Sequence, residues 1–329
     1  IAILNHNGSV LLKRFLSKVI ENCQDAQIYI IDNKSSDDSI DFISKNYPEI
    51  NIIELNANYG YAEGYNEGVK LIAEDVIIFL NNDAVFLDKQ SYNQIYKTFN
   101  SNDNISIAQP RIIDYNNRNK YEYAGASGGY IDLLGYPFCR GRIINNVESA
   151  EKYRTTREIF WASGACFVIR RKIFNKLNGF DNDFFCHMEE IDLCWRLKNI
   201  DNDKKIVTIG KSQVFHIGGG TMQYDNPNKN YLNFRNSIMM LIKNLPLGYL
   251  APVIIFRILF DLIILIFSFL TLNFNLSFSI LKAYYYNLIN FRINFLKRIK
   301  SKKSKKYYYC KSILISYYLL GKKTFSSLK

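Results

Sequence analysis

Four short apolar runs, each closing on a polar tip and followed by a segment of helical spacing or a turn, occupy the first 83 residues. No other feature restricts the fold as much. The runs are residues 1–5, 28–31, 50–55 and 76–80. Between them, residues 10–22 place Leu11, Leu12, Phe15, Leu16, Val19 and Ile20 at helical spacing. A second helix passes through Ile40, Phe42 and Ile43, and a third covers residues 61–73. Strands alternating with helices predict βαβ units and an α/β fold with a mainly parallel, Rossmann-like central sheet. Residues 76–80 are apolar throughout, as expected for a strand covered on both faces. Ligands of open α/β sheets gather at the carboxyl ends of the strands. Asp32 and Asp83 each follow such an end, which predicts both on one rim.

The rest of the chain is less regular. The opening Ile1-Ala2-Ile3-Leu4 reads as a truncated start inside a first strand, with no basic leader ahead of it, so no signal peptide is expected. Residues 100–160 are polar and Gly-rich, and read as insertions around the sheet edge. Residues 160–171 and 207–216 have strand patterns, and residues 184–197 a helical one that mixes acids with aromatics. Gly218-Gly219-Gly220 and residues 224–230 break the chain. The predicted division is a catalytic domain of residues 1–222 and a C-terminal region of residues 223–329. Six cysteines without a C-x-x-C pair read as free thiols of a reducing compartment.

Several clusters carry chemistry. Asp32, at a strand tip, can accept from a pyrimidine N–H, while Asp37 and Ser39 read as caps. The run Asn58-x-Gly60-x-Ala62-x-Gly64-x-Asn66-x-Gly68 brings small residues to a helix start, where a phosphate or a packed backbone can approach closely. In Asn81-Asn82-Asp83, the one carboxylate can hold Mg²⁺ or Mn²⁺ together with a diphosphate. Glu189, Glu190 and Asp192 crowd three acids onto one helix with apolar flanks. Crowded acids raise one another's pKa, as a base working near neutrality requires. His216, at a strand end beside three glycines, can add an imidazole to a metal site.

Read in order, these motifs resemble the family 2 inverting glycosyltransferases of the GT-A fold, above all the rhamnosyltransferase-like bacterial branch. The resemblance runs through Asn5-His6-Asn7-Gly8, Asp32-Asn33, Asn58-x-Gly60, Asn81-Asn82-Asp83, Trp161-Ala162-Ser163-Gly164-Ala165 and Gly179-Phe180-Asp181. It continues through Glu189-Glu190-Ile191-Asp192-Leu193-Cys194-Trp195-Arg196, His216-x-Gly218-Gly219-Gly220 and Tyr231-x-x-x-Arg235-Asn236. It implies a nucleotide-sugar donor held by Asp32 with Asn5, Asn7, Asn58, Gly60, Asn66, Asn82 and Arg235. It implies a Mg²⁺ or Mn²⁺ site at Asp83 and His216, and an acceptor entrance shaped by Gly164 and Ala165 with Trp161 and Trp195. Glu190 stands at the base position, with Glu189 and Asp192 beside it. The chain departs from the pattern twice: Asn81 replaces the first acid of D-x-D, and Glu-Glu replaces Glu-Asp, which leaves the identity of the base open.

Charge separates the two regions. Residues 1–221 hold 25 Lys and Arg against 28 Asp and Glu, whereas residues 222–329 hold 17 against 2. The basic part is also apolar. Residues 246–272 and then Leu276, Ile280, Leu281, Tyr284, Leu288, Phe291 and Phe295 follow helical spacing, and residues 297–306 form a dense basic cluster. This reads as a helical extension lying at a membrane interface on the cytoplasmic side, detachable from the body, where a glycan or lipid-linked glycan acceptor is presented. A nucleic-acid partner is not expected, because the aromatics follow helix spacing and the body is not basic. A catalytically silent scaffold of the same fold is the other reading, and the retained acids and His216 argue against it.

Overall fold

The computed structural model of the chain describes residues 1–218, 227–299 and 306–328. The first third folds as the spacing predicts: β1 (Ala2–Asn5), α1 (Ser9–Asn22), β2 (Tyr29–Asp32), α2 (Ser39–Asn46), β3 (Asn51–Glu54), α3 (Gly60–Val69) and β4 (Val76–Leu80). β1 pairs in parallel with β2 and β4, and β2 with β3. Asn5 and Asp32 lie opposite each other at the strand tips. α1 buries Leu12, Phe15, Leu16 and Val19. α3 lies so close to the sheet that a Cβ on Gly68 would fall 2.2 Å from Ile31. Glycine is needed there for helix–sheet approach.

Beyond β4 the sheet becomes mixed. β5 (Ala84–Val85) and α4 (Lys89–Ser101) lead to β6 (Ile105–Asp114), then to β7 (Gly129–Ile131), β8 (Pro137–Cys139), β9 (Arg142–Ile143), β10 (Asn146–Val147) and β11 (Arg157–Glu158). β12 (Cys166–Arg170), α5 (Arg171–Lys176), α6 (Glu189–Ile200) and β13 (Lys205–His216) complete the α/β part. The main sheet runs β11-β13-β6-β12-β4-β1-β2-β3, with β5 on β13. β12 is antiparallel to both neighbours, and β13 is parallel to β6. This gives the GT-A architecture.

The expectation that residues 100–160 only decorate the sheet edge is corrected by β6, which lies inside the sheet. A strand covered on both faces loses its alternation, and β6 also buries polar residues that disguise it. Gln109 accepts from the Ser163 N–H at 2.8 Å, and the Arg111 guanidinium donates to the carbonyls of Gly210 and Ala150. The stretch that follows forms a second, antiparallel sheet, β10-β9-β8-β7.

The C-terminal region is helical: α7 (Pro227–Asn244), α8 (Leu247–Leu270), α9 (Phe274–Ile289), α10 (Phe291–Leu296) and α11 (Ile313–Tyr318). The predicted boundary at 222/223, Gly219, Gly220 and residues 300–305 of the basic cluster lie outside the described residues. α9 runs alongside α7 in the same direction. Ser279 Oγ donates to Pro227 O at 3.1 Å, and Asn287 Nδ2 donates to Arg235 O at 3.0 Å. After the basic cluster the chain returns to the second sheet. The Tyr309 N–H donates to Ile131 O, and the rings of Tyr130, Phe138, Tyr309 and Phe325 pack together. The C-terminal residues therefore belong to the body's core, and the expectation of a detachable tail is corrected. Aromatic residues in a basic context gave no sign of this closure.

Candidate active site

The tips of β1, β2 and β4 build a polar floor. Asn5 is fully buried; its Nδ2 donates to Ser35 Oγ at 3.1 Å, Ser39 Oγ at 3.0 Å and Asp32 Oδ1 at 3.4 Å. Its Oδ1 accepts from Asn82 Nδ2 at 3.3 Å. Asp32 Oδ2 accepts from the Ser35 N–H. Asn7, at φ 51°, accepts from the Ser36 N–H. Asn58 accepts from Asn33 Nδ2 and the Gly60 N–H, each at 3.0 Å. The structure thus gathers Asn5, Asn7, Asp32 and Asn82, with Asn58 joined through Asn33.

A charged corner lies beside this floor. β5 pairs with β13, setting His216 opposite Ala84. His216 Nε2 then lies 2.9 Å from Asp83 Oδ1, and Nδ1 lies 3.5 Å from a Glu122 carboxylate oxygen, all three residues being buried. Burial pushes the imidazole pKa down, but Asp83 and Glu122 outweigh it and hold it up at about 10. Glu122 escaped sequence reasoning, because it is a lone acid in a Gly-rich stretch with no spacing to mark it. Asp83 Oδ1 and His216 Nε2 face each other, with Nδ1 turned to Glu122. The ring would have to give up its proton to share a cation with that carboxylate oxygen. Among the described residues no group of three or more His, Cys, Asp or Glu is arranged to hold a metal ion. An open oxygen-and-nitrogen pair of this kind fits Mg²⁺ or Mn²⁺, which leave positions for phosphate oxygens.

The acid pair opens α6. Glu189 is buried, and Oε2 of each acid is without a hydrogen bond. Desolvation first, and then Glu190, drive the Glu189 pKa well upward. Burial raises Glu190 to about 7, against backbone N–H groups, including that of Gly164, which favour its ionised form. Gly164 O accepts from Tyr61 OH at 3.0 Å, and Ala165 O from the Asn81 N–H at 3.1 Å. Gly164 and Ala165 therefore bridge the acid pair to the Asn81–Asp83 turn.

Asp192 has a different setting. It accepts from Arg196 Nε at 2.7 Å, Lys243 Nζ at 2.9 Å and Asn244 Nδ2 at 2.7 Å. Burial would raise its pKa, but Lys243 and Arg196 prevail and lower it. Its placement among the proton-accepting acids is corrected: Asp192 locks α6 to α7. Lys243 and Asn244 had no motif to reveal them.

Three residues expected at the donor instead frame the loop between α5 and α6. Gly60, at φ +74°, lies under the Phe185 ring, which a Cβ would meet at 2.5 Å. The first free N–H groups of α3, on Tyr61 and Ala62, donate to Phe185 O at 2.7 and 3.1 Å. Of the two readings of this helix start, a phosphate or a packed backbone, the loop supplies the second: its backbone caps the helix. Asn66 accepts from the Phe180 N–H and donates to Phe180 O. Arg235 donates to the carbonyls of Asp183 and Phe184. The two tryptophans expected at the acceptor are also relocated. Trp161 is buried with its Nε1 bonded to Tyr130 O, and Trp195 is enclosed between Phe160 and Tyr307. Apolar bulk outweighs surface function for both.

Residues 1–177 match the family described as Glycosyl transferase family 2. The low-salt glycan biosynthesis hexosyltransferase Agl10 of Haloferax volcanii is 23% identical over 73% of this chain and 74% of its own length. The N-acetylglucosaminyl-diphospho-decaprenol L-rhamnosyltransferase of Mycobacterium tuberculosis is 24% identical over 56% of this chain and 66% of its own, just under two thirds. Rhamnosyltransferase WbbL of Escherichia coli is 23% identical over 60% and 75%. Among solved structures, GalNAc-T7 with UDP, GalNAc and Mn²⁺ aligns at a TM-score of 0.55 and 17% identity, over 74% of this chain and 47% of that one. The mannosyltransferase PcManGT of Pyrobaculum calidifontis with GDP-Man and Mn²⁺ aligns at 0.50 and 11%, over 90% and 86%. At such identities these structures show a shared fold.

Proposed function

The chain belongs to glycosyl transferase family 2, and from that premise we propose that it is an inverting, divalent-metal-dependent enzyme moving a hexosyl or rhamnosyl unit from a nucleotide-diphosphate sugar to a hydroxyl of a glycan or lipid-linked glycan. The observation that carries this reading is the convergence on one sheet rim. The polar floor around Asp32, the Asp83–His216 corner and the Glu189–Glu190 pair meet across Gly164 and Ala165.

The roles follow from the environments. Asp32, with Asn5 and Asn82, offers acceptors and donors to the nucleotide. Asp83 and His216 would hold Mg²⁺ or Mn²⁺, which would supply positive charge opposite the leaving diphosphate. Glu190 takes the proton from the acceptor hydroxyl. The freed oxygen bonds to the anomeric carbon as the bond to the diphosphate oxygen breaks, which inverts that centre. Glu189 is more deeply buried, and desolvation together with the neighbouring Glu190 pushes its pKa well upward, which favours its protonated form. Gly164 and Ala165 leave space by their small size, and a Cβ on Gly164 would press on Tyr61 at 2.9 Å.

The place of action is the cytoplasmic face of a membrane. α8 is long and apolar enough to cross one, but its charged residues turn toward the protein. Arg257 stacks 3.9 Å over Tyr136, and Asp261 accepts from Tyr284 at 2.7 Å. The opposite face exposes Phe256, Leu259, Ile263, Ile266, Phe267 and Leu270. With α9 docked along α7, this favours a hairpin lying in the interface over a free span. The reading is tested by incubating the protein and Mn²⁺ with uridine-, guanosine- and thymidine-diphosphate sugars and a polyprenyl-diphosphate-linked N-acetylglucosamine. Transfer with inverted configuration is expected; a lack of donor binding and transfer across the panel overturns the reading.

A further inference from the structure

The chain just ahead of the acid pair hangs from one side chain. Asn236 Nδ2 lies 3.0 Å from Phe184 O, 2.8 Å from Cys186 O and 2.7 Å from His187 O. Asn236 is fully buried. Its two amide protons are shared among three carbonyls that have no helix or strand partner. Its Oδ1 accepts from Arg235 Nε at 2.7 Å, which fixes which end of the amide faces the loop. Arg235 then donates to the carbonyls of Asp183 and Phe184, and its own carbonyl accepts from Asn287 of α9.

The segment so held is strained. Phe185, His187 and Met188 have φ of 61, 70 and 71°. Non-glycine residues in that region cost on the order of 1–3 kcal/mol each, and persist only where their surroundings over-determine them. Met188 is the residue that caps α6, and Glu189 and Glu190 are its first two residues. The direction in which the two carboxyl groups leave the helix start is set by this turn. Packing alone does not account for Asn236, because an apolar side chain there would take its donor from the half-buried Cys186 and His187 carbonyls, while Phe184 O would keep the Cys186 N–H and Arg235.

We propose that Asn236 is a positioning residue: from α7 it holds the strained turn 185–188 in the conformation that sets Glu189 and Glu190 beside Gly164. The proposal rests on the reading of Glu190 as the base for its kinetic consequence, but not for its structural one. Asn236→Ala removes all three donated bonds, and Asn236→Ser keeps one hydroxyl donor as a milder change. The test has two arms on the full chain.

In the first arm, hydrogen exchange is followed by mass spectrometry without donor or acceptor. Faster exchange is expected in residues 183–190 of either variant, with the strands of the main sheet unchanged. Unchanged exchange in that segment overturns the proposal. In the second arm, transfer is assayed with whichever sugar nucleotide the wild type uses. A displaced acid pair is expected to lower kcat about 10- to 100-fold, to leave donor KM within about twofold, and to shift the rising limb of the kcat–pH profile. Wild-type kcat and pH limb in both variants overturn it, as does a loss confined to donor KM. An inactive wild type would instead refute the transferase reading, and the exchange arm would still decide the role of Asn236.

Discussion

His216 Nε2 lies 2.9 Å from Asp83 Oδ1, an approach created by β5 folding back onto β13. Glu122 faces the other ring nitrogen. A carboxylate behind a metal-binding imidazole fixes the ring's orientation. We therefore expect Asp83→Ala, or chelation of the wild type with EDTA, to abolish transfer. Glu122→Gln should raise the Mn²⁺ concentration needed for half-maximal activity about tenfold or more. Titration of Mn²⁺ into each variant, read by calorimetry as well as activity, checks this. Full activity in EDTA would sink the metal assignment.

Glu190 carries the base role in this scheme. Glu190→Gln is expected to lower kcat by about 10²- to 10⁴-fold while nucleotide binding stays near wild type. Glu189→Gln should be milder, since burial and the neighbouring Glu190 disfavour the ionised form of Glu189. If the effects are reversed, the base is Glu189.

The same residue sets a pH profile. A base must be ionised to work, and burial lifts Glu190 to about 7. The kcat should therefore climb as pH rises through about 7 and then level. A profile already flat down to pH 5 contradicts the environment described for Glu190.

Asp192 and Lys243 are predicted to matter for stability. Both are buried, and removing one partner of a buried ion pair costs about 3–5 kcal/mol. Lys243→Met should lower the denaturation midpoint accordingly. The pKa of Asp192 is lowered in the fold. Its contribution is thus present above the unfolded carboxylate range and lost as pH falls through the folded value. Acid unfolding of the wild type should begin below that of Lys243→Met; identical acid limbs would refute the linkage.

The apolar hairpin and the basic cluster are expected to dock on anionic lipid, each Lys or Arg near the surface adding about 1 kcal/mol. Full-length protein should float with vesicles containing phosphatidylglycerol, and less so as salt rises. Phe256→Asp with Ile263→Asp should weaken flotation without loss of folding, because both side chains are exposed. Failure of the wild type to float with neutral or anionic vesicles removes the membrane from the scheme.

Local pattern by itself determined the βαβ start, the strand-tip positions of Asp32 and Asp83, and the clustering of acids at Glu189–Glu190. Those features depend on periodicity and on residues close in the chain. What the sequence could not show is where long-range partners lie. Gly60, Asn66 and Arg235 read as ligand contacts, because a small or polar residue in a motif looks the same whether it faces a ligand or a backbone carbonyl. Only the tertiary structure shows that their partners are Phe185, Phe180, and Asp183 with Phe184. The buried polar groups of β6 concealed an interior strand for the same reason: Arg111 and Gln109 are compatible with a core only once the carbonyls of Gly210 and Ala150 and the N–H of Ser163 have been brought to them. Asp192 makes the same point about charge. Its neighbour in sequence is an acid pair, but Lys243 lies 2.9 Å away in space, and at that distance inside a protein the cation decides what the carboxylate can do.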